Sequence, residues 1–239
     1  CGSFLMITTA LQFSGGKDSL VLLHLWKTTN GLDDTVVLWV NTGAAYPSTI
    51  EQIKRVEALV PHFLEVKTNQ PMQVMKNGFP TDVVPLYFTP QGRLNRQTNM
   101  LYRLQDSFHC CGENIWQPMQ EAVKRRGLTR VVRGQRNSER YHAPYKSGYV
   151  EDGIEYVFPL ENWTSEQVFE YLEDNYIEIP AYYTTEGKSH DCWNCTGYMD
   201  EDQGRIANLP PAARAEVQRR LAYIKEAINV SLEPYNAVW

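Results

Sequence analysis

Two groups of residues in this 239-residue chain have the types and spacing to do chemistry. The first is Ser14-Gly15-Gly16-Lys17-Asp18-Ser19. Paired glycines let the main chain approach a phosphate with no Cβ in the way. Where such a segment opens a helix, the first amides lack intrahelical partners and bind an anion. Lys17 adds a point charge for phosphate oxygens. Ser14 and Ser19 add hydroxyls, and Asp18 suits a phosphate-bound Mg²⁺. The GxxxxGK[ST] spacing is absent, so this is not a Walker loop. The second group is Cys110-Cys111 with Cys192-x-x-Cys195, separated by 80 residues. Cysteine pairs at such short spacing, in a chain read as cytoplasmic, mean metal or redox chemistry before structural disulfides. A CxxC can chelate one centre from a single turn. Adjacent cysteines both face that centre only where the chain bends.

The elements that must position these groups follow from pattern. Thr8–Phe13 reads as a strand that runs into the glycine loop, then a mostly apolar helix to about Thr28. Thr35–Val40 is a β-branched run typical of a buried parallel strand. It ends in Asn41-Thr42-Gly43, where Thr42 and Gly43 suit contact with a nucleoside. Pro47-Ser48 opens a helix, with Ser48 and Glu51 spaced as a capping box. His62–Lys67 is a third strand. Strand, helix, strand, helix, strand means βαβ units, a parallel sheet and right-handed crossovers. Residues 69–109 show no period and carry Pro80, Pro85, Pro90 and Gly92, so a loop is expected, with positive charge from Arg93, Arg96 and Arg103. A helix over Asn114–Arg126 should end at Gly127. Thr129–Arg133 is another strand, and the arginines that follow it can fork onto phosphate or sulfate oxygens. Asp152-Gly153 marks a hairpin within Tyr149–Leu160. Thr164 with Gln167 caps a further helix, and the tail from about Pro210 to Asn229 is one amphipathic helix. Residues 1–145 read as a nucleotide-binding α/β domain. Residues 146–239 read as a hairpin and helical segment that completes the cysteine site, the two forming one compact unit.

Composition sets the outer limits. With 43% apolar and 21% charged residues the chain is globular, and disorder is excluded. No apolar run approaches the ~20 residues of a membrane helix. Cys1–Leu5 precede Met6 without a charged or apolar leader pattern. Met6 therefore reads as the natural start, no signal peptide is expected, and the expected location is cytoplasmic. The net charge of −5 gives no global pull toward nucleic acid. Locally, eight basic residues against Glu139 alone make Lys124–Lys146 +7, and nine acids follow without a base over Ser147–Glu178. This pair reads either as a polyanion-facing segment or as two solvated surfaces that attract each other.

The SGGKDS loop after the first strand resembles the SGGxDS signature of the PP-loop ATP pyrophosphatases. The resemblance implies an adenine-nucleotide α-hydrolase-like (Rossmann-like) α/β fold, a parallel sheet flanked by helices with a helical C-terminal extension. It implies that the loop holds the pyrophosphate of ATP while the α-phosphate is attacked, AMP passing to an acceptor. Lys17 and Asp18 would be catalytic, beside Ser14, Gly15, Gly16 and Ser19. Gly134, Arg136 and Arg140 resemble a GxRxxxSxR-like element of the phosphoadenylyl-sulfate reductase branch, with Ser138 out of step by one or two places. The cysteine pairs resemble the [4Fe–4S] pattern of bacterial adenylyl-sulfate reductases, which makes Cys110, Cys111, Cys192 and Cys195 candidate ligands. Pro159–Thr164 (PLENWT) resembles that family's PLxxWT. Three readings of the cysteines stay open: a [4Fe–4S] cluster, a Cys₄ zinc site, or a CxxC redox pair beside an unrelated Cys-Cys.

Two departures from the reductases matter. No cysteine follows Cys195 to attack a sulfonucleotide, and the loop is the intact ATP form. The chain thus looks like a reductase scaffold that still activates something with ATP and Mg²⁺. It is similar to cluster-bearing tRNA- and DNA-thiolation enzymes, including the DNA phosphorothioation branch. The expected function is an ATP-dependent adenylating sulfurtransferase, with a nucleic-acid acceptor or a sulfur-donor protein as partner. The alternatives are a sulfonucleotide reductase that borrows an external thiol, and a noncatalytic nucleotide- and nucleic-acid-binding subunit with a structural metal.

Overall fold

The computed structural model describes residues 6–96, 102–139, 142–185 and 191–238. They fall into two compact units, each discontinuous in sequence. One comprises residues up to Asn41, Tyr46–Lys67 and Pro118–Thr184; the other comprises Thr42–Ala45, Thr68–Gln117 and residues from Thr185 onward. Residues 146–184, read from sequence with the C-terminal segment, therefore fall in the first unit.

The strands in chain order are β1 (Thr9–Gln12), β2 (Thr35–Asn41), β3 (Phe63–Lys67), β4 (Phe79–Thr81), β5 (Leu104–Asp106), β6 (Arg130–Val132), β7 (Tyr149–Glu151) and β8 (Ile154–Val157). In the first unit six of them form a sheet of order β3-β2-β1-β6-β8-β7, parallel except for the β7–β8 pair. β2 is buried over its first five residues, as its β-branched run requires of a strand covered on both faces. The chain builds outward from β1 through β2 to β3, then returns to place β6 on the other side of β1. That reversal is the switch point at which open α/β sheets bind ligands, outside the carboxyl ends of the strands. The glycine loop follows β1 and Gly134–Arg136 follows β6, so sequence order delivers both to that end.

Ala10, Val36, Leu38 and Val131 of the sheet pack with Met119, Ala122 and Val123, an i, i+3, i+4 stripe on the helix Gln117–Arg125. Gly127, at φ +64°, terminates this helical stretch as expected. Asp152 (φ +52°) and Gly153 (φ +76°) make the two-residue turn between β7 and β8, the left-handed pair that a tight hairpin needs. The Thr164–Gln167 capping box forms in both directions: Gln167 N donates to Thr164 Oγ1 (3.2 Å) and Thr164 N to Gln167 Oε1 (2.8 Å). The Ser48–Glu51 box does not form. Pro47 takes the first helical position of Pro47–Glu57, which moves the N-cap to Tyr46 and leaves Ser48 inside the first turn.

In the second unit the expected loop over residues 69–109 is a correction. It contains the helices Gln70–Asn77 and Pro90–Arg96 and the parallel pair β4–β5. Three-residue strands are too short to show a period of two, and β4, which contains Pro80, pairs on one side only. Phe88 and Leu104 pack on Ile224 and Ala227 of the long helix Pro211–Asn236, which runs one to two turns beyond its expected end. On that helix Glu216 accepts from Arg219 (Nε–Oε2, 2.8 Å) and Arg220 (Nε–Oε1, 2.7 Å). The Arg219 hydrogen bond, opposed by burial and reinforced by Arg220, holds the carboxyl at about 2 against an ordinary 4.5. A depressed native value stabilises the fold above the ordinary value and is lost as pH falls toward 2. Glu216→Gln should therefore flatten the fall of the denaturation midpoint between pH 4.5 and 2, measured by urea titration at a series of pH values.

Candidate functional site

The loop after β1 is set by Gly15, at φ +84°. Residues other than glycine rarely hold that conformation, and an added Cβ would meet Thr49 Cγ2 at 3.3 Å. Gly16 is the N-cap of the helix Lys17–Thr29 and offers no side chain to its amides. Lys17 N donates to the hydroxyl of Tyr183 (2.8 Å), and Tyr182 OH donates to the carbonyl of Gly15 (2.5 Å). Ser19 Oγ donates to Gly16 O (2.8 Å), and Ser14 Oγ accepts from Gly16 N (3.4 Å). The two tyrosines lie more than 160 residues away in sequence, so no local spacing marks them. They brace the loop from outside.

Charges alternate across this end of the sheet. Lys17 Nζ donates to both oxygens of Asp18 (3.0 and 2.8 Å), and Arg136 Nε donates to Asp18 Oδ1 (2.7 Å). Arg136 Nη2 reaches Glu139 Oε1 at 3.4 Å, and its Nη1 donates to Ser138 Oγ (3.0 Å). The side chains of Lys17 and Arg136 are only 10% and 9% exposed, so both cations are held in a shielded place. Lys17 Nζ also stands 5.5 Å from the centroid of the Phe169 ring. Burial, followed by the charge of Asp18, raises the Glu139 carboxyl above its ordinary range. Gly134 lets the chain after β6 pass close to the helix start, where an added Cβ would lie 3.0 Å from the carbonyl of Asp18. The loop after β6 is anchored to the PLENWT segment: Asn137 N donates to Glu161 O (2.8 Å) and Asn137 Nδ2 to Asn162 Oδ1 (3.2 Å). Lys17, Asp18, Gly134 and Arg136 are thus brought together. Arg140 lies outside the described residues.

Thr42 and Gly43, read as nucleoside contacts, fall in the second unit. There Cys192 Sγ donates to Thr42 Oγ1 at 3.3 Å, and Trp193 N donates to Ala44 O at 3.0 Å. All four cysteines line one cavity of about 50 Å³, with Gln70, Asn114 and Tyr198. Cys110 and Cys111 end the helix Ser107–Cys111, and the chain then widens into a π-turn over Gly112–Trp116. That turn is the departure from regular geometry that adjacent cysteines need, and such turns cluster at functional sites. Burial pushes Cys110 and Cys111 up to about 12 and Cys192 well above its ordinary value. In each case a neighbouring cysteine adds to the rise, so the thiols sense one another. Among the described residues no three Cys, His, Asp or Glu side chains converge as around a single ion.

The Cys192–Cys195 turn is held by its carbonyls. Arg205 donates to the carbonyls of Trp193 (3.1 Å) and Cys195 (2.9 Å), and Arg220 to that of Asn194 (3.1 Å). Asp82 accepts from the amides of Tyr198 (2.7 Å) and Met199 (2.8 Å) and from Ser107 Oγ (3.2 Å). It caps the helix Met199–Asn208 from another element, with its charge at the favourable end. Tyr198 itself is left-handed (φ +60°), and its hydroxyl lies 3.5 Å from Cys111 Sγ. Gly197 allows the close approach to Ser107, because an added Cβ would lie 2.6 Å from Ser107 Cβ. Gly197→Ala should cost about 1–3 kcal/mol by overpacking. Gly204→Ala, in open space within a helix, should be neutral or gain up to about 1 kcal/mol. Paired chemical-denaturation curves check both.

A parallel α/β sheet with a glycine–lysine loop at its central strand end is a nucleotide-binding architecture of the PP-loop kind. The chain belongs to the phosphoadenosine phosphosulfate reductase domain family, whose model matches residues 8–198. It is similar to sulfate adenylyltransferase subunit 2 of Streptomyces lavendulae, 30% identical over 199 residues, covering 72% of this chain and 55% of that protein. It is also similar to an uncharacterized protein of Methanocaldococcus jannaschii, 24% identical over 227 residues, covering 91% of this chain and 49% of that protein. The chain thus spans about half the length of the curated relatives it matches. The phosphoadenylyl-sulfate reductase of Candida auris, solved as a phosphate complex, shares the fold. Its TM-score is 0.55 at 21% identity, covering 79% of this chain and 83% of that one. Among the described residues no helix is long and apolar enough to cross a membrane.

Proposed function

We propose that the chain is an ATP-dependent adenylating enzyme that prepares an acceptor for sulfur transfer. The observation that carries this reading is the loop itself. An N-cap without a side chain sets the shielded cations Lys17 and Arg136, both paired with Asp18, where the sheet switches direction. ATP would lay its outer phosphates at the start of this helix beside the Lys17 ammonium, taking the places that Ser14 Oγ and Tyr183 OH hold at the Gly16 and Lys17 amides. An acceptor oxygen attacks the α-phosphorus, the bond to the bridging oxygen breaks, and pyrophosphate leaves with that electron pair. Asp18 holds both cations in place, and Arg136 stabilises charge growing on the phosphate oxygens. Mg²⁺ would arrive with the nucleotide and take most of its ligands from phosphate and water. The likeness to the Streptomyces sulfate adenylyltransferase subunit supports the adenylyl-transfer half.

Cys110, Cys111, Cys192 and Cys195 would hold a [4Fe–4S] cluster. What supports this is that all four thiols line one pocket, as ligands shared by one cluster must. When bound, the group supplies electron-transfer or sulfur-handling chemistry. Thr42, Tyr198 and Asn114 supply the hydrogen bonds that such sulfurs attract.

The family match favours a second reading, a sulfonucleotide reductase that takes its thiol from another protein. Anaerobic protein assayed for ATP–pyrophosphate exchange, and separately for sulfite release from adenylyl sulfate with thioredoxin, separates the two. Exchange without sulfite supports adenylation; sulfite without exchange replaces it with reduction.

A further inference from the structure

A second cavity in the cysteine-bearing unit, of about 410 Å³, is lined by Arg103, Arg219, Arg220, Phe79 and Tyr223, with Met75 and Val74 on its apolar side. Among the described residues no carboxylate lines it. Arg103 makes no salt bridge with any described carboxylate; its Nη1 donates to the carbonyl of Lys76 (3.2 Å), and its amide donates to Tyr223 OH (2.9 Å). Arg219 and Arg220 share Glu216 and stand 5.6 and 5.0 Å from the centroid of the Phe79 ring. Three guanidiniums against one carboxylate leave this pocket at +2 in a chain of net charge −5. Arg220 is 11% exposed and is held by Asn194 O as well as Glu216, so it is a fixed wall. Arg219, 60% exposed, gives Nε and Nη2 to Glu216 and, with exposed Arg103, presents the remainder of its guanidinium to solvent. Met75, 68% exposed, offers apolar surface beside them.

We infer that this cavity binds an organic phosphate of nucleotide size, as a free nucleotide or as one unit of a nucleic-acid strand. The excess positive charge suits a phosphate, whether a monoester dianion or a strand diester monoanion. Guanidinium forks match its oxygens in pairs, and the volume lies in the range of small-molecule sites. The exposed Met75 side chain takes the apolar face of a base or sugar. This inference does not rest on the proposed adenylation, because it uses no residue of the glycine loop.

The test uses the full chain carrying Lys17→Ala, which silences the loop, and titrates dTMP, the single-stranded octamer (dT)₈ and benzoate by calorimetry. One dTMP per chain should bind, with affinity falling about tenfold or more when Arg103→Ala and Arg219→Ala are added. Benzoate should fail to displace it. Tighter binding of (dT)₈ identifies a strand as the source; equal binding identifies a free nucleotide. Arg219→Glu alone, at an exposed position, should weaken binding at least as much and guards against misfolding of the double variant. Absence of both dTMP and (dT)₈ binding, affinity unchanged in the arginine variants, or equal competition by benzoate would overturn the assignment.

Discussion

Lys17→Ala is expected to lower ATP–pyrophosphate exchange by at least about 100-fold, the usual loss when one preorganised donor to developing charge is removed. The ammonium is 90% shielded, and in low dielectric its attraction to a phosphate exceeds that of a surface lysine several-fold. The same substitution frees Asp18 from one of its two cations and leaves Arg136 as its partner. Lys17→Arg keeps the charge but swaps a compact ammonium for a planar fork, in a site already holding Arg136 and the Phe169 ring. It should therefore recover only part of the rate. Radiolabelled pyrophosphate exchange under saturating ATP checks both. Exchange at the wild-type rate in Lys17→Ala would remove the ammonium from the mechanism and, with it, the proposed grip on the leaving group.

Legibility in the sequence followed the range of the interactions involved. The loop, the first three strands and the helix after β1 were readable, because glycine freedom, helix opening and β-branched runs act within a few residues. So was the hairpin at Asp152-Gly153, where two consecutive left-handed residues specify one turn. The Thr164–Gln167 cap was visible for the same reason, whereas Ser48–Glu51 failed although its spacing was equal. A proline one position earlier decided where that helix begins. Contacts across the chain left no mark. Tyr182 and Tyr183 on the loop, Asp82 under the helix Met199–Asn208, and Arg205 beneath the Cys192–Cys195 turn are ordinary residues in their own segments. Thr42 adds a further contact of this kind. Its place after a strand suggests a nucleoside contact, and no spacing shows that its hydroxyl also accepts from Cys192. A strand end says that a residue is presented, and the partner is chosen by whatever segment folds over it.

The second large effect is expected from Cys192→Ser, on metal content. Cys192 is held by Thr42, and its turn hangs from Arg205 and Arg220 through three successive carbonyls. A pocket already shaped by those arginines would lose one thiolate without losing its walls. Anaerobically prepared protein should contain about four irons and four sulfides per chain, with broad visible absorption that zinc, a d¹⁰ ion, cannot give. Cys192→Ser should strip most of both, because oxygen is a poor match for iron that prefers soft thiolates. Loading should also release protons, since burial keeps Cys110 and Cys111 up at about 12 until a cation draws the charge out. Reconstitution should therefore be favoured as pH rises from 6 to 8.5, and chelation as it falls. Tyr198→Phe supplies the finer measurement. It removes a hydroxyl 3.5 Å from Cys111 Sγ while keeping the ring against Phe108. The iron content should hold and the reduction potential should fall, because one hydrogen bond less to a sulfur favours the oxidised state. Zinc in place of iron, with no visible absorption, would leave Tyr198→Phe silent and turn the four thiols into a structural clasp.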